Sequence, residues 1–297
     1  MNKALSNYYK ILAGKSRPRF KSAELNKKVK DAFDILKNCE LCERKCNINR
    51  LEGKLGFCKA GNELTVSSMF WHFGEESILV PSYTIFLGNL CTFRCVFCQN
   101  YDISQLQHHS AKYEPEELAK ILDSERRRGV LNWNWVGSEP TPSLPFILKT
   151  LSYCKENCPS IWNSNMYMSE KSMKLLEGTQ DVFLTDFKYG CNETAEKYSG
   201  VKNYWETVTR NHLLARKQAE LIIRILVMPG KWIGTDYPKI VEWIAENLGD
   251  KVLCNIMKQY HPEFKAYEYT EIGRRVNEKE MQTVIKYAEK LGLNFIT

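Results

Sequence analysis

From residue 81 to the carboxyl end, short apolar runs rich in β-branched and aromatic residues alternate with stretches of helical period. The run 81–87 (PSYTIFL) is β-rich and ends at Gly88, which reads as a strand and its punctuation. A helix is predicted after Glu114, with Pro115 and acids in its first turn, a buried stripe of Leu118, Ile121 and Leu122, and Gly129 at its close. Further strands are predicted at 131–136, 160–165, 182–187, 221–228 and 252–257, the fifth ended by Pro229-Gly230. Between and after them, helices are predicted at 144–157, 170–177, 204–217, 237–247 and 278–291. Regular βα alternation of this kind implies an α/β fold with a parallel sheet and right-handed crossovers.

The chain has 297 residues, 43% of them hydrophobic, enough for one full core and an appendage. No stretch reaches the roughly 20 consecutive apolar residues of a membrane span, and MNKALSNYYK lacks the apolar core of a signal peptide. Eleven cysteines in such a chain suit reduced thiols and metal rather than disulfides, so a cytoplasmic location is expected. The net charge of +7 owes much to Lys15, Arg17, Arg19, Lys21, Lys27, Lys28 and Lys30. With only Phe20 interleaved, these read as a solvated helical face rather than a nucleic-acid or acidic-partner surface.

The chemistry concentrates in GNLCTFRCVFCQNYDIS, where Cys91, Cys95 and Cys98 follow the first predicted strand. Three thiolates at this spacing supply three of the four ligands of a [4Fe-4S] cluster and leave one iron open. A loop at the carboxyl end of a strand is where α/β sheets and barrels place reactive groups. The motif, with Phe97 before its last cysteine, resembles that of radical SAM (S-adenosylmethionine) proteins. The extension CVFCQNYDIS is similar to relatives of pyruvate formate-lyase activating enzyme.

That resemblance implies a partial (βα)6 barrel over 81–297, a [4Fe-4S] cluster, S-adenosylmethionine, and one-electron reduction that releases a 5′-deoxyadenosyl radical. It also implies site residues. Gly137, Ser138 and Glu139 stand where the family's glycine-rich GGEP motif holds the cofactor's amino group, with serine here in place of the second glycine. Asn163 ends the next strand; Asp186 and Lys188 match an Asp-x-Lys pair whose lysine lies near the cofactor carboxylate. Arg224, inside LIIRILVMPG, is expected to face the barrel lumen and a carboxylate there, because an unpaired guanidinium is costly in a dry core. Close relatives often follow this arginine with histidine, whereas Ile225 stands here. His261 matches a tyrosine-histidine that approaches the cofactor.

A second group, Cys39, Cys42, Cys46 and Cys58, closes a four-ligand site within an amino-terminal module expected over 1–80. Structural zinc is the preferred occupant and a second iron–sulfur cluster the alternative. Cys154, Cys158, Cys191 and Cys254 read as apolar thiols, the first two on one helix face. The resemblance implies a ferredoxin- or flavodoxin-like reductant and leaves the substrate open: a glycine of a partner enzyme, or another peptide, RNA or small molecule. A non-catalytic metal scaffold would not need the polar residues from Glu139 to His261.

Overall fold

The computed structural model describes residues 2–106 and 109–297. Two helices, α1 (Ser6–Leu12) and α2 (Leu25–Ile35), come first, followed by the strands β1 (Leu64–His72) and β2 (Ser82–Leu87). After a single turn, α3 (Tyr101–Ser104), and the short strand β3 (Ala111–Tyr113), strand and helix alternate. The series runs α4 (Pro115–Arg128), β4 (Asn132–Gly137), α5 (Leu144–Tyr153), β5 (Ser160–Ser164), α6 (Glu170–Leu176), β6 (Val182–Asp186). It ends α7 (Asn192–Ser199), α8 (Tyr204–Gln218), β7 (Glu220–Leu226), α9 (Trp232–Asn247), β8 (Leu253–Met257), α10 (Glu278–Lys290), β9 (Phe295–Ile296).

The strands form one sheet in the order β3-β1-β2-β4-β5-β6-β7-β8-β9. Pairing is parallel from β2 to β9 and antiparallel for β1 with β2 and β3. The two ends do not meet, so the six predicted βα units make a partial barrel. All six predicted strands are present within two residues of their expected bounds. β1 lies before residue 80 yet pairs in the sheet, so the amino-terminal segment shares the barrel's backbone hydrogen bonds. Two helices differ more. α5 stops at Tyr153 because the Asp123 carboxylate takes the amides of Lys155 and Glu156 at 2.8–3.0 Å, turning the chain out of the helix. Cys154 and Cys158 therefore share no helix face. α9 starts five residues early and carries Pro238 inside it rather than in its first turn.

Alternation along each strand sorts side chains into two environments. On β4, Trp133 and Trp135 are buried outward under the helices, where Trp133 donates to the Leu122 carbonyl. Asn132 and Asn134 donate instead to Leu79 O and Glu75 Oε1. Ile161, Val182, Leu184, Ile222 and Leu253 form a separate apolar cluster with Leu5, Tyr8 and Leu79, so α1 and its approach plug one end of the barrel. Above that plug the lumen is charged. Arg224 on β7 donates to both carboxylate oxygens of Glu76 at 2.8 and 3.1 Å and pairs with Glu75, while Asn255 reaches Glu76 at 2.9 Å. The carboxylates expected opposite Arg224 thus come from the segment between β1 and β2.

The basic amino-terminal stretch is used partly as tethers. Lys21 donates to Cys154 O, just past α5, and Lys28 to Lys174 O and Leu175 O at the end of α6, where helix dipoles favour cations.

Without Glu76, Arg224 keeps Glu75 but loses two charge-assisted hydrogen bonds, and Asn255 Nδ2 loses its acceptor. Glu76→Ala is therefore expected to cost about 1–3 kcal/mol of unfolding free energy in urea titration. Burial opposes ionisation of Glu76, but the Arg224 guanidinium outweighs it and holds the carboxyl below its ordinary 4.5. A lowered carboxyl pKa stabilises the fold above the unfolded value, and that contribution is lost as pH falls below about 4.5. The gap between wild type and Glu76→Ala should narrow there; a gap constant with pH would remove Glu76 from the charge network.

Candidate active site

At the carboxyl ends of the parallel strands lies a cavity of about 230 Å3, and Cys91, Cys95, Cys98, Phe97, Gly137, Ser138, Glu139, Asn163, Asp186, Lys188 and Arg224 line it. Eleven residues separated by up to 133 positions meet on one rim. His261 is not among them, but its ring contacts Nε2 of the lining residue Gln99 at 3.2 Å, and Glu263 at 3.3 Å. Tyr260, its neighbour, turns inward and packs edge-on against Phe97, with ring centroids 5.9 Å apart.

Each thiol in the loop has a polar neighbour. Cys91 Sγ accepts from Phe93 N at 3.4 Å and from Asn165 Nδ2 at 3.6 Å. Ser199 Oγ donates to Cys95 Sγ at 2.9 Å, and Cys98 Sγ meets Ser104 Oγ at 3.0 Å. Burial raises the Cys91 thiol, and it lifts Cys95 to about 11 despite the opposing charge of Lys188. A bound cation reverses that penalty, since metal ligation deprotonates thiols. Three soft donors on one wall, each with a hydrogen-bond donor or hydroxyl beside it, fit an iron–sulfur cluster.

The GSEP turn is built as a clamp on this loop. Gly137 has φ +106°, and a Cβ there would lie 2.2 Å from Leu87 N, so β4 approaches β2 as only glycine permits. Ser138 Oγ donates to Asn89 O; Asn89 Nδ2 returns to Ser138 Oγ at 3.1 Å and to Glu139 O at 3.0 Å. The Glu139 carboxylate, 2% exposed, accepts from Thr141 N, Thr141 Oγ1, Ser164 Oγ and Asn165 N at 2.5–3.2 Å. Three of these donors meet Oε1 and only Asn165 N meets Oε2, so the glutamate fixes the turn while Oε2 keeps an acceptor position.

Lys188 Nζ pairs with Asp186 Oδ2 at 2.7 Å. Burial disfavours the ammonium, but Asp186 and then Cys95 outweigh it and move the lysine upward, so it stays charged. Asn163 is 6% exposed, its Nδ2 has no hydrogen-bond partner, and it lines the same cavity. A buried donor of this kind awaits an acceptor on a ligand. A carboxylate-bearing cofactor such as S-adenosylmethionine supplies one.

The positioning residues Asn89, Asn165 and Ser199 were not picked out as site residues from sequence. Asn89 lies two residues past β2 and Asn165 directly after β5, each within two residues of an expected site residue, which is the signal available for them. The Cys39, Cys42, Cys46 and Cys58 set lies just behind the three-cysteine loop: Leu90 N donates to Cys58 O at 2.8 Å, and Thr92 helps line the second set's cavity. Cys154, Cys158 and Cys254 are buried with thiols raised by burial.

A partial parallel barrel with a three-thiol loop after its first parallel strand defines a class of metal-cluster enzymes. The Radical SAM superfamily model matches residues 85–231, and the chain belongs to that superfamily. An uncharacterized protein of Methanocaldococcus jannaschii is 48% identical over 278 residues, 92% of this chain and 80% of the relative. A second uncharacterized protein of that organism is 25% identical, covering 76% of this chain and 71% of the relative. Among solved structures, methylornithine synthase superposes at a TM-score of 0.50 and 13% identity, covering 98% of this chain and 85% of that one. Streptococcus suis SuiB bound to S-adenosylmethionine gives 0.50 and 15%, covering 70% of this chain and 48% of that one. The chain thus spans about half the length of SuiB.

Two variants separate clamp from ligand contact. Glu139→Ala leaves four donors without their acceptor, each worth about 1–3 kcal/mol when buried, so its melting temperature should fall clearly. An unchanged melting temperature with lost cofactor affinity would make Glu139 a direct ligand instead. Lys188→Ala should keep its iron and bind S-adenosylmethionine about ten- to a hundred-fold more weakly, the loss of one charge-assisted contact. Unaltered affinity in calorimetry would reduce Lys188 to the partner of Asp186.

Proposed function

We propose that the protein reductively cleaves S-adenosylmethionine to methionine and a 5′-deoxyadenosyl radical, which abstracts hydrogen from a segment of a partner protein, as glycyl-radical activases do. The observation that carries this reading is one cavity joining three thiols, the Asp186–Lys188 pair and the unpartnered Asn163 amide. The chemistry a bound cluster supplies is single-electron reduction of the sulfonium, with the electron coming from a ferredoxin- or flavodoxin-like donor.

Cys91, Cys95 and Cys98 would hold that cluster. Lys188 and Asn163 Nδ2 would orient the cofactor's carboxylate and polar edge, while Arg224, neutralised by Glu75 and Glu76, closes the cavity floor. Phe97, packed between Tyr189 and Tyr260 at 6.4 and 5.9 Å, forms an apolar wall that keeps water from a reactive species.

The substrate class follows from space. A cavity of about 230 Å3 is smaller than the about 300–1,000 Å3 of ordinary small-molecule sites. Cluster and cofactor would fill it, so the atom to be attacked has to arrive over the open rim, which suits an extended protein segment better than an enclosed metabolite.

Anaerobically reconstituted protein with a strong reductant should release 5′-deoxyadenosine, and Cys91→Ala/Cys95→Ala/Cys98→Ala should release none. Release by the triple variant would end the enzyme reading. With extract proteins labelled by deuterated glycine, deuterium should appear in the 5′-deoxyadenosine. Transfer supported by the low-molecular-weight filtrate instead would overturn the protein substrate.

A further inference from the structure

Ser199 closes α7, and Tyr189 follows Lys188 in the loop after β6. Both side chains are completely buried. Arg94 N donates to Ser199 O at 3.0 Å, which brings the end of α7 against the backbone of the three-cysteine loop. The serine side chain reaches the same loop: its Oγ lies 2.9 Å from Cys95 Sγ and 2.5 Å from the Tyr189 hydroxyl. Rings pack around that tyrosine, with Tyr204 at 5.2 Å and Phe97 at 6.4 Å between centroids.

The chemistry of the thiol fixes the direction of this chain. A cysteine that ligates metal is a thiolate and can only accept. The single proton of Ser199 therefore points to Cys95 Sγ, and Tyr189 must donate to Ser199 Oγ, since the serine has no second proton to offer. A buried tyrosine hydroxyl needs such a partner, and its hydrogen bond polarises the serine hydroxyl towards the sulfur. Cys98 has a simpler counterpart: Ser104 Oγ, 2% exposed, lies 3.0 Å from its Sγ.

We propose that Ser199 and Tyr189 act as positioning residues that raise the reduction potential of the cluster held by Cys91, Cys95 and Cys98. The argument is one of charge. An electron added to the cluster places more negative charge on its thiolates, so a donor aimed at one sulfur stabilises the reduced state more than the oxidised one. The electron comes from the ferredoxin- or flavodoxin-like donor, the serine keeps its proton, and no covalent bond in the protein forms or breaks. The inference rests on the enzyme reading above for the cluster, but not on the identity of the substrate.

Redox titration of the anaerobically reconstituted full chain tests it, followed by the paramagnetic signal that S-adenosylmethionine alters, which belongs to the open cluster. Ser199→Ala removes one oxygen and should shift the equilibrium against reduction about tenfold, a fall of ~59 mV for one electron, at wild-type iron content. Tyr189→Phe should lower the potential by less. In the Ser199→Ala background it should add nothing, because it acts through the serine. An unmoved potential in Ser199→Ala would overturn the proposal, as would a Tyr189→Phe shift of the same size with and without Ser199. If Ser199→Ala loses its iron, Tyr189→Phe decides alone, and an unmoved potential there overturns the proposal. A wild type that takes up no iron would overturn the enzyme reading and this inference together, whereas a loaded wild type with unresponsive variants overturns this inference only.

Discussion

The pairing of Arg224 with Glu75 and Glu76 is the interaction on which the rest of the molecule depends. A partial barrel has to fill its lumen, and here an apolar plug fills only one end. The middle layer is an ion cluster that joins β7 to the segment between β1 and β2, with Asn134, Asn163 and Asn255 contributing amides. Such a cluster is no cheaper than an apolar filling, and its value lies in geometry. It fixes where the amino-terminal segment sits relative to the barrel, and it leaves Arg224 exposed to the cavity above it.

The second constraint is how tightly the three-cysteine loop is held before any metal binds. Asn89 ties it to the GSEP turn, and Asn165 ties it to the turn after β5. Backbone bonds from Arg94 N to Ser199 O and from Val96 N to Tyr198 O tie it to α7. Arg94 spans from Cys91 O to Phe57 O and so reaches the amino-terminal module. The loop is thus pinned from several elements around it, which is what a ligand set needs if its cluster is to keep one iron open.

Much of this was legible in the sequence, for reasons that differ by element. Strands buried on both faces in an α/β sheet advertise themselves as apolar runs between turn residues, so β2 and β4 to β8 could be placed closely. β1 could not, because its polar alternation sits among residues whose glycines and cysteines point to a loop, and its partner is distant in sequence. β3 and β9, of three and two residues, carry no periodic signal at all. Site residues followed from strand ends, and eleven of the twelve do share one cavity. Their roles were harder to read. Glu139 carries the right charge for an ammonium ligand, and only the positions of Thr141, Ser164 and Asn165 show that it also holds the turn together. His261 reaches the cavity only through the lining residue Gln99, while its neighbour Tyr260 packs against Phe97.

Two thiolate sets lie side by side, and their difference in ligand number divides the work. The loop of three leaves a coordination position free, and its cavity supplies what a bound small molecule needs: a charged lysine, an unpartnered amide and an apolar wall. The set of four has an enclosed, almost wholly apolar cavity and a guanidinium in place of ligand-binding groups. The residues between the sets are few: Cys58 is hydrogen-bonded through its carbonyl to Leu90, and Cys91 follows directly. That short connection, with β1 paired antiparallel to the barrel's first parallel strand, joins the amino-terminal segment to the three-cysteine loop through backbone hydrogen bonds.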